Sequence, residues 1–197
     1  MRERDYWAKV LMMLGPGEQR FANPAAWDEL ERRFGSELPE DYREFIDAYA
    51  PIQLNKHLYF HHPATSSWNL GTWIGDTAEA YKRIDWSETI CPDFPEGNPV
   101  FGVPGGLIPV AGSDKGEDVF LINKEAADWR VCVYVGSDDE FYSYAMGFSE
   151  WLYRYLIGED MTGPNSASFY PGPVETEYLP MRDGEVTTPF QGPDRGM

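Results

Sequence analysis

Between Leu107 and Ala145 the chain carries four short stretches of strand character in a row, with only turns between them. They fall near 107–112, 118–122, 129–135 and 141–145. "WRVCVYV" (129–135) is the clearest, since it alternates and is rich in β-branched residues. Parallel neighbours need a crossover of about a dozen residues or more, so strands this close in sequence favour an antiparallel or mixed sheet. The first two stretches flank Ser113, Asp114, Lys115, Gly116, Glu117 and Asp118, which read as a hairpin turn with Gly116 at positive φ. "GSDDE" (136–140) reads as a second, acidic turn.

The helices lie on either side of this run. "DYWAKVLMML" (5–14) has the pattern of an amphipathic first helix, closed by "GPG". In "NPAAWDELERRFG", Asn23 is a good N-cap, Pro24 suits the first helical position, and Gly35 follows the last turn. Trp27, Leu30 and Phe34 share one face. A further helix opens at Pro39, carries Tyr42, Phe45, Ile46 and Tyr49 as its apolar stripe, and stops at Pro51. "KHLYFHH" (56–62) reads as a strand, and "GDTAEAYKRI" (75–84) as a helix capped by Asp76 or Thr77. "FSEWLYRYLIG" (148–158) is a final helix with Phe148, Trp151, Leu152 and Tyr155 on one side.

Helices, strand, helix, hairpin, further strands and helix make an α+β fold: a mixed, mostly antiparallel sheet with helices packed mainly on one face. Residues 1–158 are expected to form this domain, including the N-terminal helix at 5–14. Residues 159–197 hold six prolines and little periodicity. They are expected to be an irregular C-terminal extension whose aromatics, Phe169, Tyr170, Tyr178, Leu179 and Phe190 among its apolar residues, pack on the domain.

Composition narrows the function. The 197 residues carry a net charge of −17 and 15% aromatics. Direct nucleic-acid binding expects a basic footprint, so that class is excluded. The charge suits solubility, and it also suits a strongly basic protein partner. No stretch approaches the roughly 20 apolar residues of a membrane span, and no signal-peptide pattern is present. The chain is read as cytoplasmic, without a membrane role. Cys91 and Cys132 fit no disulfide framework and no zinc spacing, and are expected as reduced packing residues.

Chemistry at the hairpin finds little support. Asp114, Glu117 and Asp118 lack the alternating carboxylates and distant Glu of a calcium loop. There is no GxxxxGK phosphate loop and no GxSxG elbow. On one strand His57 and His61 would share a face, with His62 opposite; satisfied core or edge histidines are the expectation. No catalytic residue, metal or cofactor is expected. Trp68 and Trp73, in "TSSWNLGTWIG", are expected to be exposed, and exposed tryptophans are typical interface anchors.

Three blocks, in order, resemble the SUKH superfamily, which includes a fungal cell-wall-assembly regulator and many bacterial immunity proteins. The first is "WDELERRFGSELPEDYREFIDAY", two helices joined at Gly35 and Leu38-Pro39. The second is Ile108-Pro109-Val110, a turn, and Asp118 to Leu121. The third is "VCVYVGSDDEFYSYAMGFSEWLYRYL". Three positions depart from the family pattern. Ala50-Pro51 stands where an asparagine with glycines is common, Glu117 where a glycine is usual, and Gly147 where a serine cap is favoured. The resemblance implies a non-enzymatic protein-binding domain. It would be an immunity protein neutralising a toxin of nuclease or deaminase type, or alternatively a regulatory or scaffold module without a toxin partner. Such a toxin surface is basic. The expected contacts are Asp114, Glu117, Asp118, Asp138, Asp139 and Glu140, with Trp68, Trp73 and Trp129 as anchors.

Overall fold

A computed structural model describes residues 3–123, 128–167 and 172–194. Among these, the chain order is α1 (Glu3–Leu14), α2 (Pro24–Phe34), α3 (Glu40–Tyr49), β1 (Ile52–Leu54), β2 (Leu58–Phe60), α4 (Leu70–Tyr81), β3 (Ile108–Ser113), β4 (Glu117–Asn123), β5 (Trp129–Val135), β6 (Glu140–Tyr144), α5 (Phe148–Leu156), β7 (Glu175–Tyr178) and β8 (Thr188–Gln191). The strands form one sheet in the spatial order β6-β5-β4-β3-β2-β1-β7-β8. Every neighbouring pair is antiparallel, so the fold is α+β as expected.

Local chemistry sets the helix ends. The Asn23 side chain accepts from Ala25 N, and Gly35 closes α2 at φ 70 with its N–H on Glu31 O. The Gly147 cap of α5 has no side chain to offer, and α3 supplies the missing acceptor. Asp41 Oδ2 takes the Ser149 N–H at 2.7 Å, which ties the starts of two helices together across 108 residues of chain.

Strand alternation divides the core. Val119, Leu121, Val131 and Val133 face a large cluster filled by Trp27, Tyr42, Phe45, Phe148 and Trp151 from α2, α3 and α5, with Val10 from α1. Phe120, Ile122 and Cys132 face the other way. They meet Tyr81 at the end of α4, and Trp86 and Phe101 from the connection that follows. The second layer is thin but aromatic: Tyr81 and Trp86 stack at 5.6 Å, and Trp86 packs against Phe141 at 5.2 Å.

Three expectations need correction. Helix α4 begins at Leu70, not 75, because Asn69 is the cap and its Oδ1 accepts from Thr72 N at 2.9 Å. Asp76 therefore sits inside the helix. The strand expected over 56–62 is shorter, because Asn55 and Lys56 take φ 51 in a tight turn. That turn pairs Leu58–Phe60 with Ile52–Leu54, a strand outside the expected stretch, and the two make a hairpin. The stretch 159–197 is not simply irregular either. Its strands β7 and β8 extend the sheet, with Ile52 opposite Tyr178 and Tyr178 opposite Thr188. The free edge of β1 offers backbone groups that need partners, and β7 satisfies them. Val174 and Leu179 are buried, and the Tyr178 and Phe190 rings stack at 4.6 Å. Phe169 and Tyr170 lie outside the described residues.

Candidate partner-binding site

Glu117 of β4 lies opposite Val135 of β5, so the β3–β4 and β5–β6 turns emerge at the same end of the sheet. The Gly136 N–H donates to Gly116 O at 2.9 Å and locks the two turns side by side. Gly116 holds φ 91 with open space around it, a conformation that favours glycine. Asp114, Asp138, Asp139 and Glu140 are all exposed here, and they form an acidic rim. Phenols brace part of it. Tyr134 donates to Asp139 at 2.8 Å and Tyr142 to Glu140 at 2.7 Å. Burial, then Asp139, pushes the Tyr134 hydroxyl up to about 12, so it remains a donor at neutral pH.

Neighbours on a strand face opposite ways, and this separates Glu117 from Asp118. Glu117 is half-buried, its Oε2 takes the Ser113 hydroxyl, and His57 Nε2 lies 3.4 Å from its Oε1. Burial lowers the His57 pKa, with Glu117 opposing that. Glu117 is therefore engaged within the chain and is not an open surface acid. Asp118 lies on the other face, where Tyr81 donates to its Oδ2 at 2.6 Å. Burial lifts the Asp118 carboxyl above its ordinary range, and the Tyr81 bond works against that lift.

Asp118 belongs to a cavity of about 540 Å³, which Trp68 and Trp73 also line, together with His61, Asp76 and Tyr81. Both tryptophans are half-buried, not exposed as expected. Trp68 lies parallel to Tyr59 at 5.8 Å and donates its Nε1–H to Pro180 O at 3.0 Å, a contact with the stretch after β7. Trp73 stacks on His61 at 4.7 Å. Trp73, Asp76, Thr77, Ala80 and Tyr81 follow helical spacing, so one face of α4 lines this cavity. Gly112 of β3 lies opposite Asp118. A Cβ there would stand 2.7 Å from Trp73 Cζ2 and 2.8 Å from Asp118 Oδ1, so the wall closes only because the residue is glycine. Burial holds His61 down at about 4, which leaves the ring neutral at pH 7. Its Nδ1 has no hydrogen-bond partner among the described residues.

Trp129 stands apart. It pairs with Asn123 at the far end of β5 and lines a separate depression with Leu38 and Arg43. His62 lies elsewhere again, with Nε2 3.2 Å from Asp47 Oδ1, the oxygen that also takes the Trp27 indole N–H at 2.9 Å. Cys91 and Cys132 are buried free thiols. Among the described residues no group of three His, Cys, Asp or Glu is placed to hold a metal ion. The structure thus divides the nine expected residues into a rim of four, a cavity with three, and two outliers, Glu117 beside His57 and Trp129 at the far end of β5. The cavity residues His61, Asp76, Tyr81 and Gly112 escape the sequence reading. With α4 begun at Leu70, the spacing Trp73, Asp76, Thr77, Tyr81 would have marked Asp76 and Tyr81.

A single antiparallel sheet with helices packed against it defines the class, a small α+β domain. The family profile SUKH_6, described as SMI1-KNR4 cell-wall, matches residues 24–152, and the chain belongs to that family. The match runs from α2 into α5, and α1, β7 and β8 lie outside it. No curated protein and no solved structure matches the chain.

Proposed function

We propose that this SUKH domain is a non-enzymatic protein-binding module, and that it is an immunity protein that neutralises a basic toxin domain of nuclease or deaminase type. The observation that carries this reading is the acidic rim: Asp114, Asp138, Asp139 and Glu140 exposed on two turns locked together. With −17 on the chain, such a rim steers a basic surface toward it and competes for the groove that binds phosphate. No helix among the described residues is long and apolar enough to cross a membrane.

The test is binding between the purified chain and the product of the gene beside its own, by calorimetry at low and at raised salt. A complex that weakens as salt rises, and that blocks the toxin's activity, supports the reading. Absence of a complex at low salt sinks it. The matching family's description, cell-wall, favours a second reading, a regulatory or scaffold module. That reading predicts a cellular protein partner and no toxin gene next door.

A further inference from the structure

The cavity under α4 has the chemistry of a cation receptor. Its walls are π faces, from Trp68, Trp73 and Tyr81, and its charged groups are two carboxylates, Asp76 and Asp118; no Lys or Arg lines it. The π faces are held in place. Trp68 is pinned by Tyr59 and Pro180, and Trp73 by His61. Tyr81 occupies Oδ2 of Asp118, and Oδ1 takes no hydrogen bond among the described residues. His61 lines the same cavity with its ring flat against Trp73, and holds that indole in place.

We infer that this cavity is an arginine subsite: it takes the guanidinium of one arginine of the basic protein partner, which stacks on the indoles and donates to Asp118 and Asp76. The inference rests on the reading of the chain as a binder of a basic protein. Guanidinium fits better than ammonium for three reasons. It is planar and stacks on aromatic faces. It is weakly hydrated and enters a half-closed space at smaller loss. It also presents several N–H groups in a fork, which acceptors on two elements can share. The two acceptors here come from α4 and β4.

The probe is N-acetyl-arginine amide, with N-acetyl-lysine amide as its control at the same ionic strength. The readout is the indole N–H signals of the ¹⁵N-labelled full chain. Saturable shifts of the Trp68 and Trp73 signals are expected, with affinity in the millimolar range. The lysine probe should bind about tenfold more weakly or worse. Asp118→Asn keeps an oxygen for Tyr81 and should lose about tenfold in affinity, and so should Asp76→Asn, which changes an exposed position and leaves the fold alone. Unchanged indole signals, equal binding of the lysine probe, or full affinity in Asp76→Asn would each overturn the inference. The experiment uses no toxin, so the two readings fail separately. A chain that binds its neighbour's product but not the arginine probe has no such subsite. A chain that binds the probe but not the neighbour's product refutes the immunity role alone.

Discussion

Acid should unfold this protein through His61, and phenylalanine at that position should remove much of the effect. The ring is buried under Trp73, with burial holding its pKa at about 4 against an ordinary value of 6.5. The folded chain keeps the ring neutral through the window in which the unfolded chain protonates it. Stability from this group is therefore complete above pH 6.5 and is lost as pH falls toward 4. The gap between the two values, at ~1.4 kcal/mol per pH unit, sets a ceiling of about 3 kcal/mol, of which about 2 kcal/mol is already gone at pH 5. Asp118 works in the opposite direction: its raised carboxyl takes up a proton more readily when folded, so acid favours it. His57 and His62 are lowered by burial as His61 is, and add to the acid loss. These three are present in both proteins and largely cancel in the comparison. Urea unfolding of wild type and His61→Phe, followed by tryptophan fluorescence at pH 7.5, 6, 5 and 4.5, should show wild type losing about 2 kcal/mol more than the variant by pH 5. Parallel curves for the two proteins would refute the reasoning.

Asp41→Ala should remove the acceptor at the start of α5 and lower stability by about 1 kcal/mol, read as a shifted urea midpoint with unchanged slope. Asp41→Asn, which keeps an acceptor, should restore most of it. Ending the chain after Gly158 should expose the β1 edge together with apolar surface that Val174 and Leu179 cover, and sedimentation should show concentration-dependent association in place of a monodisperse domain. The triple change Asp138→Asn, Asp139→Asn, Glu140→Gln at the rim should leave the urea midpoint in place, slow partner association several-fold at low salt, and flatten the salt dependence, as stopped-flow kinetics would show.

Features that depend on neighbours in sequence were legible. Asn23, Pro24 and Gly35 bracket α2 because capping is a matter of a few adjacent backbone groups. β5 is visible because both sheet faces are covered there, which demands a run of β-branched and aromatic residues, and seven residues are enough to show it. The acidic turns were also legible, since their charges need no partner to remain exposed. Features that depend on distant pairing were hidden. The start of α4 carries Gly71 and Gly75, which weaken a helix signal, and Gly71 fits there because Leu30 of α2 comes close. Four-residue strands such as β7 are too short to declare a period, and only the waiting edge of β1 makes them strands. The cavity needs Gly112 opposite Asp118 and α4 laid across both, which is a fact of register and packing. For the same reason Glu117, beside Asp118 in sequence, ends on the opposite face beside His57.

The order of strands in the sheet also has a consequence for synthesis on the ribosome. Asn55 and Glu175 are hydrogen-bonded in the finished protein yet lie 120 residues apart. At roughly 5–20 residues per second, β1 leaves the ribosome about ten seconds before the strand that completes it. Through that interval the nascent domain presents one open sheet margin, and whatever holds it soluble must come from elsewhere. The steep negative charge of the chain, already −12 by Gly158, provides mutual repulsion between nascent copies while the margin waits to be closed.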